Sequence, residues 1–329
     1  MAATDTIALV GLGSIGISFA AVHLLHSAAQ VRVFDPRPDL EHHLHAILPA
    51  YLGADAGSVS ALQSAGRLIV CTTLAEACAS ATVVQEQGPE NLTFKTQTWA
   101  AIEAAAPADA ALWTSTSGIP AHVQAALMHD PSRLVVVHPF NPPHVLPLLE
   151  ICGGTSASAE AVSHAQRFFP ERLPGAGFRP VIVRAEVPGF VGNRLAFVLF
   201  REACALVAAG VVDDVAALDA VVEASLGPRW AVQGPFRAYN MGGGSGGLQA
   251  FVDNLAGTID AVWQDADMRA GDMRMREEGG EFAPWVAGVI AQAQSAYGTP
   301  TVEDLAVRDR ALRRVLHARM PEMDEMARS

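Results

Sequence analysis

Residues 6–16 read Thr6-Ile-Ala-Leu-Val-Gly-Leu-Gly-Ser-Ile-Gly16, and this stretch decides the fold. Its first five residues are predicted to form a short apolar strand, and a glycine-rich turn follows at once. A helical segment from 17 to about 25 comes next, and then a second strand, residues 31–34, which ends in Asp35. Strand, G-x-G-x-x-G, helix, strand and acid in this order form the fingerprint of a dinucleotide-binding βαβ unit.

The glycine-rich turn and Asp35 predict which dinucleotide is bound. The glycines allow the tight turn, the close approach to the pyrophosphate and the packing of helix on strand. Asp35 lies 24 residues beyond Gly11 and is predicted to hydrogen-bond the ribose 2′-hydroxyl. A carboxylate there repels a 2′-phosphate, so NAD is favoured, although the nearby Arg37 leaves NADP open. The turn residues predicted to bind NAD are Gly11, Gly13, Ser14, Ile15 and Gly16.

A second informative stretch is His138-Pro-Phe-Asn-Pro-Pro-His-Val-Leu-Pro-Leu-Leu-Glu150. It follows the apolar run 134–137, a predicted buried strand that delivers His138 to its carboxyl end, where ligands bind in open parallel sheets. Three prolines then predict a rigid turn, and residues 145–151 are predicted to form a strand that carries Glu150 back. A histidine and a carboxylate on neighbouring strands can act as a general base and the group that orients it.

The composition excludes several classes of protein. A chain of 329 residues, 50% hydrophobic and 17% charged, is typical of a globular protein with about two domains. The net charge of −12 and the lack of a basic patch argue against binding of nucleic acid or of an anionic membrane. The four cysteines match no metal or redox spacing, which predicts core thiols in a reducing cytoplasm. No metal site is predicted, because the histidines at 42, 43 and 45 are interpreted as a solvated helix face.

Strand and helix patterns alternate to about residue 184, which predicts an α/β fold with a doubly wound, mostly parallel sheet of the Rossmann type. Pro188-Gly189 then interrupts the chain, and the helical segments beyond it predict an all-helical C-terminal domain. One of these segments, 195–212, is apolar, but Arg201 and Glu202 in its middle fit a buried helix better than a membrane span. The predicted domains are residues 1–187 and 188–329. Further predicted strands are 81–84, 111–113 and 180–184, and the predicted C-terminal helices are 193–209, 213–225, 247–268 and 303–317.

Six short motifs occur in order along the chain: GLGSIG (11–16), VFDP (33–36), QEQGPENLTFK (85–95), TSTSG (114–118), HPFNPP…E (138–150) and PGFVGNRL (188–195). Together they resemble the motifs of the L-3-hydroxyacyl-CoA dehydrogenase superfamily. The segment SLGPRWAVQGPF (225–236) is more similar to the branch that contains λ-crystallin, L-gulonate 3-dehydrogenase and carnitine 3-dehydrogenase. The resemblance covers residues 6 to about 265, and the last sixty residues match no motif.

The resemblance implies roles for particular residues. His138 would be the general base that takes the hydroxyl proton as a hydride leaves for NAD, and Glu150 would orient its imidazole. The implied catalytic and substrate-contacting residues are His138, Glu150, Ser117 and Asn193, and the implied contacts near the nicotinamide ribose are Glu90 and Lys95. The alternatives are a packing role for the histidine–glutamate pair, helix N-caps at 117 and 193, and an incidental surface position for Lys95, the chain's one lysine. The resemblance also implies a homodimer formed through the helical domains.

The segment 36–70 bears on the substrate, since the relatives that act on acyl-CoA must hold several phosphates. It contains only Arg37 and Arg67 as permanent cations, which weighs against CoA and favours a small, free 3-hydroxy acid. In the helical domain, Arg229 is a tentative partner for a substrate carboxylate, with a structural or interface ion pair as the alternative. A carnitine-like substrate would need a cage of aromatic side chains for its quaternary ammonium group. The alternative is that the candidate aromatic residues belong to the core. The candidates for that cage are Trp230, Phe236 and Tyr239.

The predicted function is therefore NAD-dependent oxidation of the secondary alcohol of a small 3-hydroxy acid, similar to L-gulonate or carnitine, to the 3-oxo acid. One alternative is a 3-hydroxyacyl-CoA dehydrogenase. A second is a non-catalytic, crystallin-like protein that retains NAD binding. The intact set of four implied catalytic residues argues against that second alternative, because a structural protein has no need of a base and its orienting carboxylate.

Overall fold

The structure, a computed structural model, describes residues 5–53, 57–270, 273–277 and 279–326. The chain divides into two compact units, Met1–Arg194 and Leu195–Ser329. The first unit is an α/β fold built on one sheet, and the second is helical in its described residues. The predicted fold class is confirmed.

The sheet of the first unit has eight strands in the order β3-β2-β1-β4-β5-β6-β7-β8. Every neighbouring pair is parallel except β6 and β7, which are antiparallel. The order reverses between β1 and β4, which is the arrangement of a doubly wound sheet. The strands are β1 Thr6–Val10, β2 Gln30–Phe34, β3 Leu68–Val70, β4 Val83–Glu86, β5 Ala111–Thr114, β6 Leu134–Pro139, β7 Leu148–Cys152 and β8 Arg179–Ile182.

Both faces of the sheet are covered by apolar side chains. Successive residues of β6 alternate between the two core clusters, so that Val135 and Val137 pack on one side while Leu134 and Val136 pack on the other. This alternation is the reason that the inner strands are continuous apolar runs. The helices of the first unit are α1 Ser14–His26, α2 Leu40–Leu52, α3 Val59–Ser64, α4 Leu74–Cys78, α5 Leu92–Ala105, α6 Ala121–Gln124 and α7 Ala159–Arg172.

The second unit contains more helices than the four predicted. Its described helices are α8 Gly192–Ala208, which begins in the first unit, α9 Val215–Ala224, α10 Leu226–Val232, α11 Pro235–Gly242, α12 Gly247–Ala270, α13 Pro284–Tyr297 and α14 Val302–Met326. The unpredicted helices α10, α11 and α13 each carry a proline in the first turn. Proline disrupts a helix interior but is tolerated in the first turn, where its missing N–H would have no partner.

The largest differences from the predicted strands are at β3 and β7. The short strand β3 was not predicted, and β7 begins at Leu148 rather than at residue 145. Backbone hydrogen bonds from Val145 and Leu146 to the Pro142 carbonyl continue the turn in place of the strand. No described helix is long and apolar enough to cross a membrane.

His23 gives the first unit a pH-dependent stability. It lies fully buried in α1, and its Nε2 is 2.7 Å from Oε1 of Gln85. Burial lowers the pKa of His23 to about 4, against a smaller opposite effect of the Gln85 hydrogen bond. The unfolded chain therefore binds this proton first as the pH falls, and the proton stabilises the unfolded state.

We expect the free energy of unfolding to decrease by about 3 kcal/mol as the pH falls from about 6.5 to about 4. Denaturant unfolding at a series of pH values measures this loss. The variant His23→Gln should show a flatter pH dependence over the same interval. An unchanged slope in that variant would assign the acid sensitivity to other groups.

Candidate active site

The loops that follow β1, β4, β5 and β6 all lie at the carboxyl edge of the sheet. These strands are adjacent in the order β1-β4-β5-β6, and all three pairings are parallel. The edge therefore brings together the glycine-rich turn, Glu86, the loop of Ser117 and His138. In a doubly wound sheet this edge, next to the reversal of strand order, is where ligands bind.

The glycine-rich turn has the geometry that a dinucleotide requires. Gly11 has φ 93°, and a Cβ there would lie 2.9 Å from the backbone of Gln87 and Gly88. A Cβ at Gly16 would lie only 2.0 Å from the carbonyl oxygen of Gly11, so helix α1 packs this close because of glycine. At Gly13, by contrast, a Cβ would meet nothing within 4 Å. This open space lies before the N-terminus of α1, and the first turn of α1 has no acidic residue. Such a position suits the negative charge of a pyrophosphate.

Asp35 is held beside this turn by the backbone. Its carboxylate accepts hydrogen bonds from the amides of Leu12 at 2.7 Å and Arg37 at 3.0 Å. The guanidinium of Arg37 pairs with Asp39 at 3.1 Å. Arg37, the residue that leaves NADP open, is thus paired with the carboxylate of Asp39.

His138 and Glu150 form a buried pair. They are direct partners in the antiparallel register of β6 and β7, and Nδ1 of His138 lies 2.8 Å from Oε2 of Glu150. Their side chains are 4% and 2% exposed. An ionised carboxylate can only accept, so Nδ1 donates this hydrogen bond, and in the neutral form of the imidazole Nε2 is the nitrogen that can accept a proton. The pair has the geometry of a base and its orienting group.

The second carboxylate oxygen of Glu150 is bound by backbone amides. Oε1 accepts hydrogen bonds from Val191 at 2.8 Å and from Gly192 at 3.0 Å. Burial alone would raise the pKa of Glu150, but the hydrogen bonds from His138, Gly192 and Val191 outweigh it and hold the pKa below its ordinary value. Glu150 therefore remains ionised near neutral pH.

The loop of Ser117 is organised by Glu90. Oε1 of Glu90 accepts hydrogen bonds from the amides of Ser117 at 3.0 Å and Gly118 at 2.9 Å, and from the Thr116 hydroxyl. Ser117 itself is exposed. The N-cap of the following helix α6 is Pro120, so capping of this helix does not explain Ser117.

Lys95 is buried, with 1% of its side chain exposed, so the alternative of an incidental surface lysine is wrong. Its Nζ lies 2.9 and 2.8 Å from the two oxygens of Glu86 and 3.9 Å from Oε2 of Glu90. Glu86 also accepts hydrogen bonds from the Thr114 hydroxyl and the Gly88 amide. Glu86 was not predicted as a site residue, although a carboxylate that ends an apolar strand nine residues before the one lysine was a usable signal.

Asn193 and Arg229 lie in different units. Asn193 follows Gly192 at the start of α8, directly after the two amides that bind Glu150. Arg229 lies on α10 in the second unit and is exposed. The aromatic candidates of this unit are not core residues, because Trp230, Phe236 and Tyr239 are 38%, 79% and 39% exposed.

The histidines of α2 contact other groups in the structure. His43 contacts the carbonyl oxygen of Leu12 at 3.0 Å, and His45 lies 3.7 Å from Glu41 on the exposed face of the helix. Across the described ranges, no cluster of three or more metal-binding side chains occurs.

Comparisons with known proteins agree with this geometry. Residues 6–181 match the model of the 3-hydroxyacyl-CoA dehydrogenase NAD-binding domain, and residues 189–280 match the model of the C-terminal domain of the same family. L-carnitine dehydrogenase of Streptomyces griseus is 36% identical in a match that covers 98% of this chain and 92% of that protein. L-carnitine dehydrogenase of Pseudomonas putida is 36% identical over 78% of this chain and 79% of that protein.

Among solved structures, a 5-formyl-3-hydroxy-2-methylpyridine 4-carboxylic acid 5-dehydrogenase, described as an NAD⁺-dependent dismutase, matches with a TM-score of 0.66. It is 26% identical, and the match covers 96% of this chain and 98% of that one. The predicted resemblance is thus confirmed by both domains and by relatives that match along nearly the whole chain. The chain belongs to the 3-hydroxyacyl-CoA dehydrogenase family and is an NAD-dependent dehydrogenase that oxidises a 3-hydroxy acid.

Proposed function

We propose that this enzyme oxidises L-carnitine or a closely similar small, free 3-hydroxy acid to its 3-oxo acid. The observation that carries the proposal is the buried His138–Glu150 pair at the carboxyl edge of the sheet, with Nδ1 and Oε2 2.8 Å apart. The substrate class is supported by the relatives named L-carnitine dehydrogenase, which are 36% identical over up to 98% of the chain.

In the proposed mechanism, His138 removes the proton of the substrate hydroxyl. Its Nε2 accepts that proton while Glu150 keeps Nδ1 protonated and stabilises the imidazolium that forms. NAD, when bound, supplies the hydride acceptor. Because the pair is nearly excluded from water, the charge of Glu150 acts on the imidazole with little screening.

The roles of the remaining site residues follow from their positions. The glycine-rich turn, residues 11–16, would hold the pyrophosphate at the N-terminus of α1, and Asp35 would bind the adenosine ribose. Glu90 lies in the loop after β4 and Lys95 in the first turn of α5, and these two side chains would hold the nicotinamide ribose. Ser117 and Asn193 would contact the substrate.

The cations of the segment 36–70 support a substrate without CoA. Arg67 donates three hydrogen bonds to the carbonyl oxygens of Leu24, Ser27 and Ala29, so it serves the packing of α1. Arg37 is engaged by Asp39. Arg67 is therefore engaged in the fold, which leaves Arg37, in an exposed pair with Asp39, as the one permanent cation of this segment that could bind a phosphate.

The test is a comparison of substrates. NADH production should be measured with L-carnitine, L-gulonate, 3-hydroxybutyrate and 3-hydroxybutyryl-CoA under identical conditions. We expect the highest kcat/KM with L-carnitine. Preference for L-gulonate would move the enzyme to the sugar-acid branch, turnover of the CoA ester alone would overturn the proposal, and no turnover of any of them would favour the non-catalytic alternative.

Asp35 is expected to set the choice of coenzyme. In the variant Asp35→Asn the repulsion of a 2′-phosphate is removed, so the ratio of kcat/KM with NADP to that with NAD should increase by about tenfold. Steady-state kinetics with both coenzymes measure this ratio. Glu160→Gln, which alters an exposed carboxylate that pairs with Arg167 on α7, is the matched control for a change of surface charge. An unchanged ratio in Asp35→Asn would show that Asp35 does not face the ribose.

We also propose that the enzyme is a cytoplasmic homodimer. The free thiols of Cys71, Cys78, Cys152 and Cys204 are buried, which fits a reducing compartment.

Helix α8 exposes a run of large apolar side chains, which fits an interface between two copies. They are Leu195, Phe197, Val198 and Phe200, with exposed fractions of 64%, 62%, 54% and 52%. Light scattering coupled to size-exclusion chromatography should give twice the chain mass, and a monomer would contradict the dimer.

A further inference from the structure

Phe190 has an unusual backbone conformation next to the base. Its φ is 48°, in the left-handed region, and it is the one residue other than glycine with a positive φ in the part of the chain that the structure describes. This conformation is unfavourable for a bulky L-residue and persists only where its surroundings enforce it. Gly189 before it is also left-handed, with φ 76°. The chain therefore makes a tight turn at these two residues just before α8.

The turn aims the following amides at one carboxylate. The Phe190 amide donates to the carbonyl of Val187 at 3.0 Å, which closes the turn. The next two amides, of Val191 and Gly192, both donate to Oε1 of Glu150. Successive N–H groups that converge in this way form a concave anion site. A Cβ at Gly192 would lie 3.0 Å from the Phe140 ring and 3.5 Å from Oε2 of Glu150. The lack of a side chain at Gly192 therefore allows its backbone to approach Glu150 closely.

The side chain of Phe190 contacts the other member of the pair. Its ring is 2% exposed and lies 5.4 Å from the His138 ring between centroids, at an interplanar angle of 36°. A glycine would make the same turn without strain. The presence of phenylalanine is explained by its ring, which covers the imidazole and limits its rotation.

We propose that Phe190 is a positioning residue, which fixes Glu150 through the two amides of its turn and fixes the His138 imidazole through its ring. The inference rests on the proposed role of His138 as general base. One residue thus sets the orientation of both members of the pair. The titratable groups around Glu150 are His138 on the facing strand and Cys152 on its own strand, and burial raises the pKa of the Cys152 thiol, so it stays neutral.

The variant Phe190→Leu tests the proposal, with Phe178→Leu as the matched control. Phe178 is also buried in the first unit, but its ring packs on Phe169 at 5.2 Å. In Phe190→Leu we expect kcat to fall about tenfold with the KM for NAD unchanged. Weaker hydrogen bonds from Val191 and Gly192 should raise the pKa of the Glu150 carboxyl.

A second readout does not depend on turnover. In protein labelled with ¹³C-glutamate, the carboxyl resonance of Glu150 can be assigned by its loss in Glu150→Gln and then titrated. We expect its pKa to be higher in Phe190→Leu than in the wild type and unchanged in Phe178→Leu. An unchanged titration of the Glu150 carboxyl in Phe190→Leu would overturn the proposal. If His138→Ala retained activity, the assignment of the base would fail, while the titration would still decide whether Phe190 acts on Glu150.

Discussion

His138→Ala is expected to lower kcat for NAD-dependent oxidation about a thousandfold, because a positioned general base contributes about two to four orders of magnitude. The affinity for NADH should change little, since the glycine-rich turn and Asp35 lie on other strands of the sheet edge. Stopped assays with high enzyme concentration measure the residual kcat, and NADH fluorescence measures the affinity. The two measurements separate loss of chemistry from loss of the cofactor site.

His23 provides the matched control for this variant. It is also a buried histidine that hydrogen-bonds one polar side chain, Gln85, but that pair lies between α1 and β4, surrounded by Phe19, Phe168 and Phe169. His23→Gln should reduce stability and leave kcat within a few fold of the wild type. If His138→Ala behaved in the same way, the pair with Glu150 would be a packing feature and the proposed mechanism would be wrong.

The parts of the site that could be predicted are those in which side chains carry the chemistry. The pairing of the histidine with the glutamate twelve residues later could be predicted because a proline-rich turn between two apolar runs implies adjacent strands. In the structure the two residues are register partners. The amides of Val191 and Gly192 were missed because a backbone donor has no signature in the sequence. Phe190 was missed because a left-handed φ at phenylalanine is disfavoured and is imposed by packing.

The helical unit shows the same limit at the level of the fold. In the sequence alone, the prolines at 228, 235 and 284 predict interruptions of helices. In the structure, each of them lies in the first turn of a helix. Whether a proline ends one helix or begins the next depends on which apolar faces are buried. That information lies in the tertiary packing and not in the local pattern.

The second large effect is expected at the Lys95–Glu86 pair, whose side chains are 1% and 0% exposed. Lys95→Met leaves the Glu86 carboxylate buried without its cation and should lower the free energy of unfolding by about 3–5 kcal/mol, because the uncompensated charge bears the full cost of desolvation. Glu86→Gln leaves the ammonium with Oε2 of Glu90, 3.9 Å away, as its remaining carboxylate partner, so its loss of stability should be smaller. The double variant removes both charges, so we expect it to regain most of that loss. Denaturant unfolding of the four proteins measures the coupling between the two side chains.

Binding of NADH should not follow the same pattern. If Lys95 contacts the nicotinamide ribose, the double variant will recover stability but not affinity, because the ammonium is still missing. Arg269→Met is the control, since the pair of Arg269 and Asp265 on α12 has the same short distance of 2.7 Å but is 39% and 51% exposed, and its loss should change neither quantity measurably. Full recovery of NADH affinity in the double variant would show that Lys95 serves only to neutralise Glu86. If the double variant recovers stability but still binds NADH weakly, Lys95 has two roles. It then neutralises Glu86 in the core, and it also contacts the cofactor.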